Sequence, residues 1–324
     1  MTTAYLLRCA DARVAVHGSD DVLKPLIDAC RPYFTATEFL PSSAPARPWA
    51  VHLDDTACGK PVPSRAGIPV RLDAEHRTLV VAPPRPATSN RPHIRLLRAL
   101  MRRQLAAAGE TFVPAAVVSV DGRGLALAGP THAGKTTTAL ALLDRHPART
   151  QLVANDDSSL RRRPGPGVVA RGYPRAVEIR HATFPHLGPA ADALTAVAQP
   201  EGPDDAVCLH PQDVAHALGT STAADVPLGA LVLLAHAPRD DVPGPALARL
   251  SPTEATAALT PLVGDADPYE TWLDLHLPTP RPRRAPVARL ARTVPVWRLT
   301  QTLHTLYHSA DLLTELAAAP GGIR

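Results

Sequence analysis

The chain has 324 residues with a mean hydropathy of −0.04, and its 34 basic and 30 acidic residues leave a net charge of +4 at pH 7. This length is sufficient for two domains with buried cores, and the ordinary apolar and charged fractions exclude a disordered chain. The charge is mild and shows no clusters of lysine and arginine among aromatic residues, which argues against a nucleic-acid-binding protein.

Residues 1–90 are predicted to form a small α/β domain. Apolar residues alternate with polar ones in four short segments, as expected of half-buried strands. The predicted strands lie at 12–18, 49–53, 68–73 and 78–84. A helix is predicted between the first two strands, with Ser19 as its N-cap. The proline-rich segment 82–92 is the predicted linker to a second domain, residues 91–324.

The second domain is predicted to begin with a helix that ends at Gly109. Its apolar residues recur at helical spacing, which predicts that Arg95, Arg98 and Arg102 face solvent. Two apolar runs then flank Asp121-Gly122, a dipeptide typical of a tight β-hairpin. Further strands are predicted at 151–155, 167–170, 176–180, 229–236 and 294–300, and a closing helix follows the last of them.

The sequence also argues against a metal or redox protein and against a membrane or secreted protein. The four cysteines occur without paired spacing, so no metal or redox motif is expected, and the thiols are predicted to be reduced and buried. The longest apolar stretch, 228–237, is too short to cross a bilayer, and the first residues lack a signal-peptide pattern. We therefore expect a cytoplasmic protein without a membrane partner.

The segment Gly129–Thr136 follows the second strand of the hairpin and reads GPTHAGKT. Its pattern, with four residues between two glycines and then lysine and threonine, is that of a phosphate-binding P-loop. The chain has 34 basic residues, of which only Lys24, Lys60 and Lys135 are lysines. A compact ammonium suits the curled loop better than a planar guanidinium does. The predicted nucleotide contacts are Gly129, Thr131, His132, Ala133, Gly134, Lys135, Thr136 and Thr137.

An acidic pair, Asp156 and Asp157, ends the strand predicted at 151–155. One carboxylate at such a position would hold Mg²⁺, and the other would accept a proton from an attacking hydroxyl. The alternative is an Asp-Asp turn that caps the next element. Arg175 is open to two similar interpretations, as a phosphate ligand or as a turn residue.

The order of these motifs resembles the catalytic domain of HPr kinase/phosphorylase, in particular its divergent relatives from biosynthetic gene clusters. The resemblance is carried by FVPAAVVSVDGRGLALAGPTHAGKTTT, LVANDD and VEIRHATF, within residues 94–185. PEP carboxykinase shares the core more distantly. The resemblance implies an α/β fold, with a mixed sheet flanked by helices around a P-loop and a small N-terminal α/β domain that docks the substrate or a partner.

The resemblance also implies an ATP- and Mg²⁺-dependent kinase that phosphorylates a serine hydroxyl of a peptide or protein. By position, it implies that Lys135, Arg180 and the base Asp157 are catalytic, and that Thr136, Asp156 and Glu178 lie on the metal side. For Glu178 and Arg180, which alternate on a strand, a surface ion pair is the alternative. The family also implies a homo-oligomer.

Three positions depart from the family pattern. Val113-Pro114 stands where a histidine is usual, His181 stands where a glycine follows Glu-Ile-Arg, and no glycine-rich phosphorylase loop is found. Two alternatives therefore stay open: a non-catalytic ATP-binding sensor or scaffold, and an ATPase that supports a peptide-modifying assembly.

Overall fold

The computed structural model describes residues 3–39, 48–54, 68–84, 90–163, 165, 167–198, 205–237, 244–264, 271–277 and 284–319. The chain forms two compact units. The first comprises Met1–Glu110 and Asp265–Arg281, and the second comprises Thr111–Gly264 and Pro282–Arg324. This division assigns the helix at 91–107 and a later segment to the first unit, whereas the sequence places a boundary at residue 90. The separate roles of the two parts remain a prediction.

In the part of the first unit that the structure describes, the chain forms a six-stranded mixed sheet and two α-helices. Its strands are β1 (Thr3–Cys9), β2 (Ala12–Gly18), β3 (Thr35–Glu38), β4 (Trp49–Leu53), β5 (Val70–Asp73) and β6 (Thr78–Val81), in the order β3-β1-β2-β4-β6-β5. Strands β2, β4 and β6 run parallel, and the outer pairings are antiparallel. The helices are α1 (Asp20–Cys30) and α2 (Arg91–Ala107).

Helix α2 departs from its predicted pattern. The prediction that its arginines face solvent is wrong for Arg98 and Arg102, which are 6% and 7% exposed. Twelve of the 17 residues of this helix are buried, and they lie on every face of it. A one-sided apolar stripe therefore underestimates how much of this helix is buried.

The second unit is built on a mixed sheet whose main path has the order β15-β10-β8-β9-β16-β12-β11-β7, with β18 joined to β16 and β17 to β18. Its strands are β7 (Thr111–Val113), β8 (Ala115–Val120), β9 (Arg123–Ala128), β10 (Thr150–Ala154), β11 (Ser158–Arg162), β12 (Val168–Gly172), β13 (Val177–Arg180), β14 (Ala206–Leu209), β15 (Ser221–Thr222), β16 (Asp225–His236), β17 (Ala246–Arg249) and β18 (Val296–Gln301). Strands β13 and β14 form a separate pair.

The predicted hairpin is confirmed, since β8 and β9 pair antiparallel around Asp121 and Gly122. Both turn residues have positive φ, 48° and 77°. Such angles fit the right-handed twist of the two strands.

Helices cover both faces of the sheet in the second unit. They are α3 (Lys135–Arg145), α4 (Ala190–Ala196), α5 (Pro211–Ala217), α6 (Pro252–Leu259), α7 (Arg284–Thr293) and α8 (Leu306–Ala318). Alternate residues of β8 and β9 supply two buried clusters: Val118 and Leu127 pack with α3 and α8, whereas Val117 and Ala126 pack with α6 and α7. Strands buried on both faces read as continuous apolar runs. The predicted α/β class is thereby confirmed.

Two further expectations concern thiols and membranes. Cys9, Cys30 and Cys208 are buried thiols, as predicted, and Cys58 lies outside the described residues. Burial raises the pKa of the Cys30 thiol to about 12. Within the described ranges, none of the helices has the length and apolar character needed to cross a bilayer.

Candidate functional site

The predicted site residues meet at one edge of the sheet in the second unit. Strands β9, β16 and β18 are parallel, and β10 has the same direction because β8 pairs antiparallel with both β9 and β10. The carboxyl ends of these four strands therefore share an edge. Open α/β sheets bind ligands outside the carboxyl ends of their strands.

The loop between β9 and α3 depends on two glycines. A Cβ on Gly129 would lie 2.7 Å from the Cβ of Ala133, a contact that is too short for any other residue. Gly134 has a φ of +84°, in the left-handed region that favours glycine. Helix α3 begins at the next residue, with Thr138 N donating to Gly134 O over 2.8 Å. The loop thus ends at the positive pole of an 11-residue helix.

The side chain of Lys135 is buried within this loop. Its Nζ donates to the carbonyl oxygens of Gly129 and Pro130, over 3.2 and 3.0 Å. The same atom lies 3.0 Å from Oδ1 of Asp156, and only 8% of the lysine side chain is exposed. A buried ammonium is costly without partners, and here three oxygen atoms surround it.

The connection from β10 to β11 carries the polar residues that face the loop. Thr136 Oγ1 donates to Asn155 Oδ1 over 2.8 Å. Asp156 has a φ of +55°, and its carboxylate contacts Lys135 at Oδ1 and Arg175 at Oδ2, the latter at 3.3 Å. Asp157 is only 5% exposed, whereas the side chain of Asp156 is 33% exposed. The two neighbouring carboxyl groups therefore have different environments.

Strand β13 presents Glu178 and Arg180 on one exposed face, while Val177 and Ile179 are buried. A nitrogen of the Arg180 guanidinium lies 3.3 Å from Nε2 of His132, in the loop. Because a guanidinium only donates, Nε2 is the acceptor where the two groups form a hydrogen bond. This contact links β13 to the loop after β9.

Most of the predicted residues lie together. Contacts within the second unit join His132, Lys135, Thr136, Asp156 and Arg180 to the loop or to its immediate neighbours. Thr131 is exposed, Thr137 is half-buried in the first turn of α3, and Ala133 is buried against Gly129. Val113, where the sequence resemblance predicts a histidine, lies in β7, and its carbonyl accepts a hydrogen bond from Ser158.

Three residues at this edge are absent from the sequence predictions: Asn155, His236 and Gln301. The exposed His236 ends β16, with Nε2 3.2 Å from the position that a Cβ on Gly134 would take. Gln301 ends β18 and donates from Nε2 to Thr138 Oγ1 over 2.6 Å. The available signal was a polar residue directly after an apolar run, a weak signal unless the strands are known to be parallel.

No family model matches the chain, and no curated protein matches it. Among solved structures, the chain is similar to the HPr(Ser) kinase/phosphatase from Coxiella burnetii, with 12% sequence identity and a TM-score of 0.31. The match covers 63% of this chain and 93% of that chain. A similarity at this level carries no information about activity.

Proposed function

We propose that residues 129–137 bind the phosphates of ATP with Mg²⁺, and that the protein transfers the γ-phosphoryl group to a hydroxyl of a peptide or protein, with serine as the expected acceptor. The observation that carries the proposal is the buried ammonium of Lys135, held within a glycine-bounded loop at the start of a helix.

The loop has the two properties that a phosphate site needs. The first turn of α3 offers main-chain N–H groups that have no partner within the helix, together with its positive pole. The ammonium of Lys135 contacts carbonyl oxygens of the same loop, so it already lies among oxygen atoms. Phosphate oxygens would replace these weaker acceptors, since charge-assisted hydrogen bonds are stronger than those to neutral groups.

The residues around Thr136 fit Mg²⁺. This ion prefers oxygen ligands, keeps several waters and needs only one or two carboxylates in addition to the phosphates. Thr136 Oγ1, Asn155 Oδ1 and the Asp156 carboxylate are such oxygens. The described residues contain no group of three histidine, cysteine or acidic side chains that could hold a metal alone, so the phosphates would complete the site. When bound, Mg²⁺ neutralises charge on the β- and γ-phosphates.

In the proposed transfer, the acceptor hydroxyl oxygen bonds to the γ-phosphorus while the bond from that phosphorus to the β-phosphate oxygen breaks, and ADP leaves. The hydroxyl proton passes to a carboxylate, which we assign to Asp157. Lys135 and Arg180 would spread the negative charge that develops on the transferred group. These roles need positioning and charge stabilisation, which are the main requirements of phosphoryl transfer.

The test is mass spectrometry of serine-containing candidate peptides incubated with the full-length protein, ATP and Mg²⁺. We expect a mass gain of one phosphate that is absent without Mg²⁺ and absent with Lys135→Ala. If nucleotide binds but no peptide or protein gains phosphate under any condition, the kinase proposal is wrong.

The exposure of the two aspartates favours a second function, an ATP-binding sensor or an ATPase subunit. Asp157 is 5% exposed, and Asp156 is engaged by Lys135 and Arg175, so neither carboxylate is openly presented to an acceptor. ATP turnover measured without any peptide, together with the peptide assay above, separates the three functions, because a kinase without its acceptor also binds ATP without turnover. Release of ADP and phosphate alone indicates an ATPase, and tight binding with neither turnover nor a phosphorylated peptide indicates a sensor.

A further inference from the structure

A cavity of about 520 Å³ lies within the first unit, at the amino ends of β2, β4 and β6. This volume is within the range of small-ligand sites. Part of the wall comes from α2 and from the segment 271–277. The lining residues are Asp11, Arg13, Pro48, Trp49, Ala74, Arg77, Gln104, His276 and Leu277.

The walls are fixed by hydrogen bonds. Gln104 on α2 accepts from Arg13 N and donates to Arg13 O, both over 3.1 Å, so its amide clamps the start of β2. Arg103, which is 1% exposed, bonds through two of its nitrogens to Oδ1 of Asp274, over 3.2 and 3.1 Å, and thereby attaches the segment 271–277 to α2. The cavity is therefore a formed feature of the unit.

Two guanidinium groups dominate the chemistry of the cavity. Arg13 and Arg77 are exposed, and neither side chain has a hydrogen-bond or ion-pair partner among the described residues. Arg77 also has a φ of +53°, which is uncommon for a residue with a side chain. One carboxylate, that of Asp11, lines the same cavity. Among the described residues that line the cavity, Arg13, Arg77 and Asp11 sum to a charge of +1, which a single carboxylate would balance.

The lining also has an apolar part, beside the polar side chains of Gln104 and His276. Trp49 is 5% exposed and forms part of the wall with Leu277. Arginine pairs with carboxylates through two parallel hydrogen bonds. A doubly charged phosphate would exceed the charge of the cavity and face Asp11, so a carboxylate fits better.

We propose that this cavity binds a carboxylate carried on an apolar or aromatic group, held by Arg13 and Arg77 with its apolar part on Trp49. The carboxylate could come from an acidic peptide or from a free organic acid, which share this chemistry. The proposal is independent of the function proposed for residues 129–137.

The experiment is isothermal titration of the full-length protein with an N-terminally acetylated, C-terminally amidated peptide of sequence Glu-Leu-Glu-Phe, whose only carboxylates are those of its two glutamates. Its twin has glutamine for glutamate, phenylpropionate is the free-acid competitor, and inorganic phosphate is the third probe. The test variant is Arg13→Gln with Arg77→Gln. The matched control is Arg71→Gln with Arg249→Gln, which removes two exposed arginines outside the cavity.

We expect the glutamate peptide or phenylpropionate to bind, and the test variant to weaken that binding about tenfold or more, while the control changes it less than about twofold. Binding by the peptide alone identifies a peptide ligand, and binding by phenylpropionate alone identifies a small acid. Arg13→Lys with Arg77→Lys should retain part of the affinity, which guards against a folding defect in the glutamine variant. The proposal is wrong if no carboxylate binds, if the glutamine twin binds equally, if phosphate binds more tightly, or if the test and control variants behave alike.

Discussion

The Nζ of Lys135 lies 3.0 Å from Oδ1 of Asp156, and this ion pair links the first residue of α3 to the connection between β10 and β11. The ammonium is thereby oriented before any ligand arrives. Removal of Asp156 leaves the buried ammonium of Lys135 without its counter-charge, so the two residues should not behave independently.

Replacement of Lys135 by alanine should weaken ATP affinity about 10- to 100-fold, because one charge-assisted hydrogen bond contributes about 1.5–3 kcal/mol. Lys135→Arg should lose most of that affinity as well, since the planar guanidinium does not fit the position of a buried ammonium. Isothermal titration with ATP and Mg²⁺ measures both. Lys24→Ala, an exposed lysine on α1, is the control and should bind like the native chain. Native affinity in the Lys135→Ala variant would contradict the proposed phosphate site.

The two aspartates should separate binding from transfer. Asp156→Asn removes a carboxylate that faces Lys135 and Arg175, so we expect weaker binding of ATP with Mg²⁺. Asp157→Asn should leave ATP affinity within about threefold and reduce transfer about 100-fold or more, as expected for loss of a general base. Titration and phosphate-transfer assays on the same preparations compare the effects. If Asp157→Asn weakens binding and Asp156→Asn slows only transfer, Asp156 is the base and Asp157 is the metal ligand.

Substitution of Gly134, the residue before α3, should lower the stability of the protein for two separable reasons. Gly134→Ala forces an alanine into the left-handed region, at about 1–2 kcal/mol, and places its Cβ 3.2 Å from Nε2 of His236. His236→Ala alone should change stability by less than about 0.5 kcal/mol, because the ring is exposed. The double variant should recover only the part of the loss due to the close contact.

Urea unfolding followed by Trp297 fluorescence, with Trp49 and Trp272 replaced by phenylalanine, reports on the second unit. Equal stability of Gly134→Ala and the parent chain would show that this backbone conformation is not required.

Acid should destabilise the first unit through His17. Its ring stacks on that of His52 with centroids 4.3 Å apart, and burial, then the neighbouring His52, lower the pKa of His17 to about 4. In the unfolded chain this pKa is near 6.5, so between about pH 6.5 and 4 the unfolded state binds the extra proton and stability falls as the pH falls. Because His17 is only half-buried, the loss should be on the order of 1–2 kcal/mol.

The measurement is urea unfolding at pH 7 and pH 5, followed by Trp49 and Trp272 fluorescence in a Trp297→Phe background. His17→Gln should make the stability of this unit less dependent on pH. Unchanged pH dependence in that variant would assign the effect to other groups.

Patterns in a few consecutive residues predicted those strands and turns whose structure depends only on those residues. Strands β2 and β4 have their predicted bounds because apolar and polar residues alternate within their own sequences. Strand β11 was missed because its first two residues, Ser158 and Ser159, are polar yet buried, with hydrogen bonds to Val113 O and Tyr173 Oη. Those partners come from distant parts of the chain, which no local pattern contains.

The candidate site likewise has a part that could be predicted from contiguous sequence and a part that could not. The loop at 129–136 is contiguous in sequence, so its pattern could be read directly. His236 and Gln301 reach the same edge only because β16 and β18 run parallel to β9, a relationship that becomes visible with the sheet order. The assignments of Asp156, Asp157 and Glu178 to metal or proton transfer remain predictions.

Part of the cavity wall in the first unit comes from residues 271–277, which follow most of the second unit in the chain. During synthesis on the ribosome, Arg103 therefore has no contact with Asp274 until all of residues 111–264 have been made. A fragment that stops at residue 110 would carry this arginine without that carboxylate, and should be prone to aggregate when expressed alone.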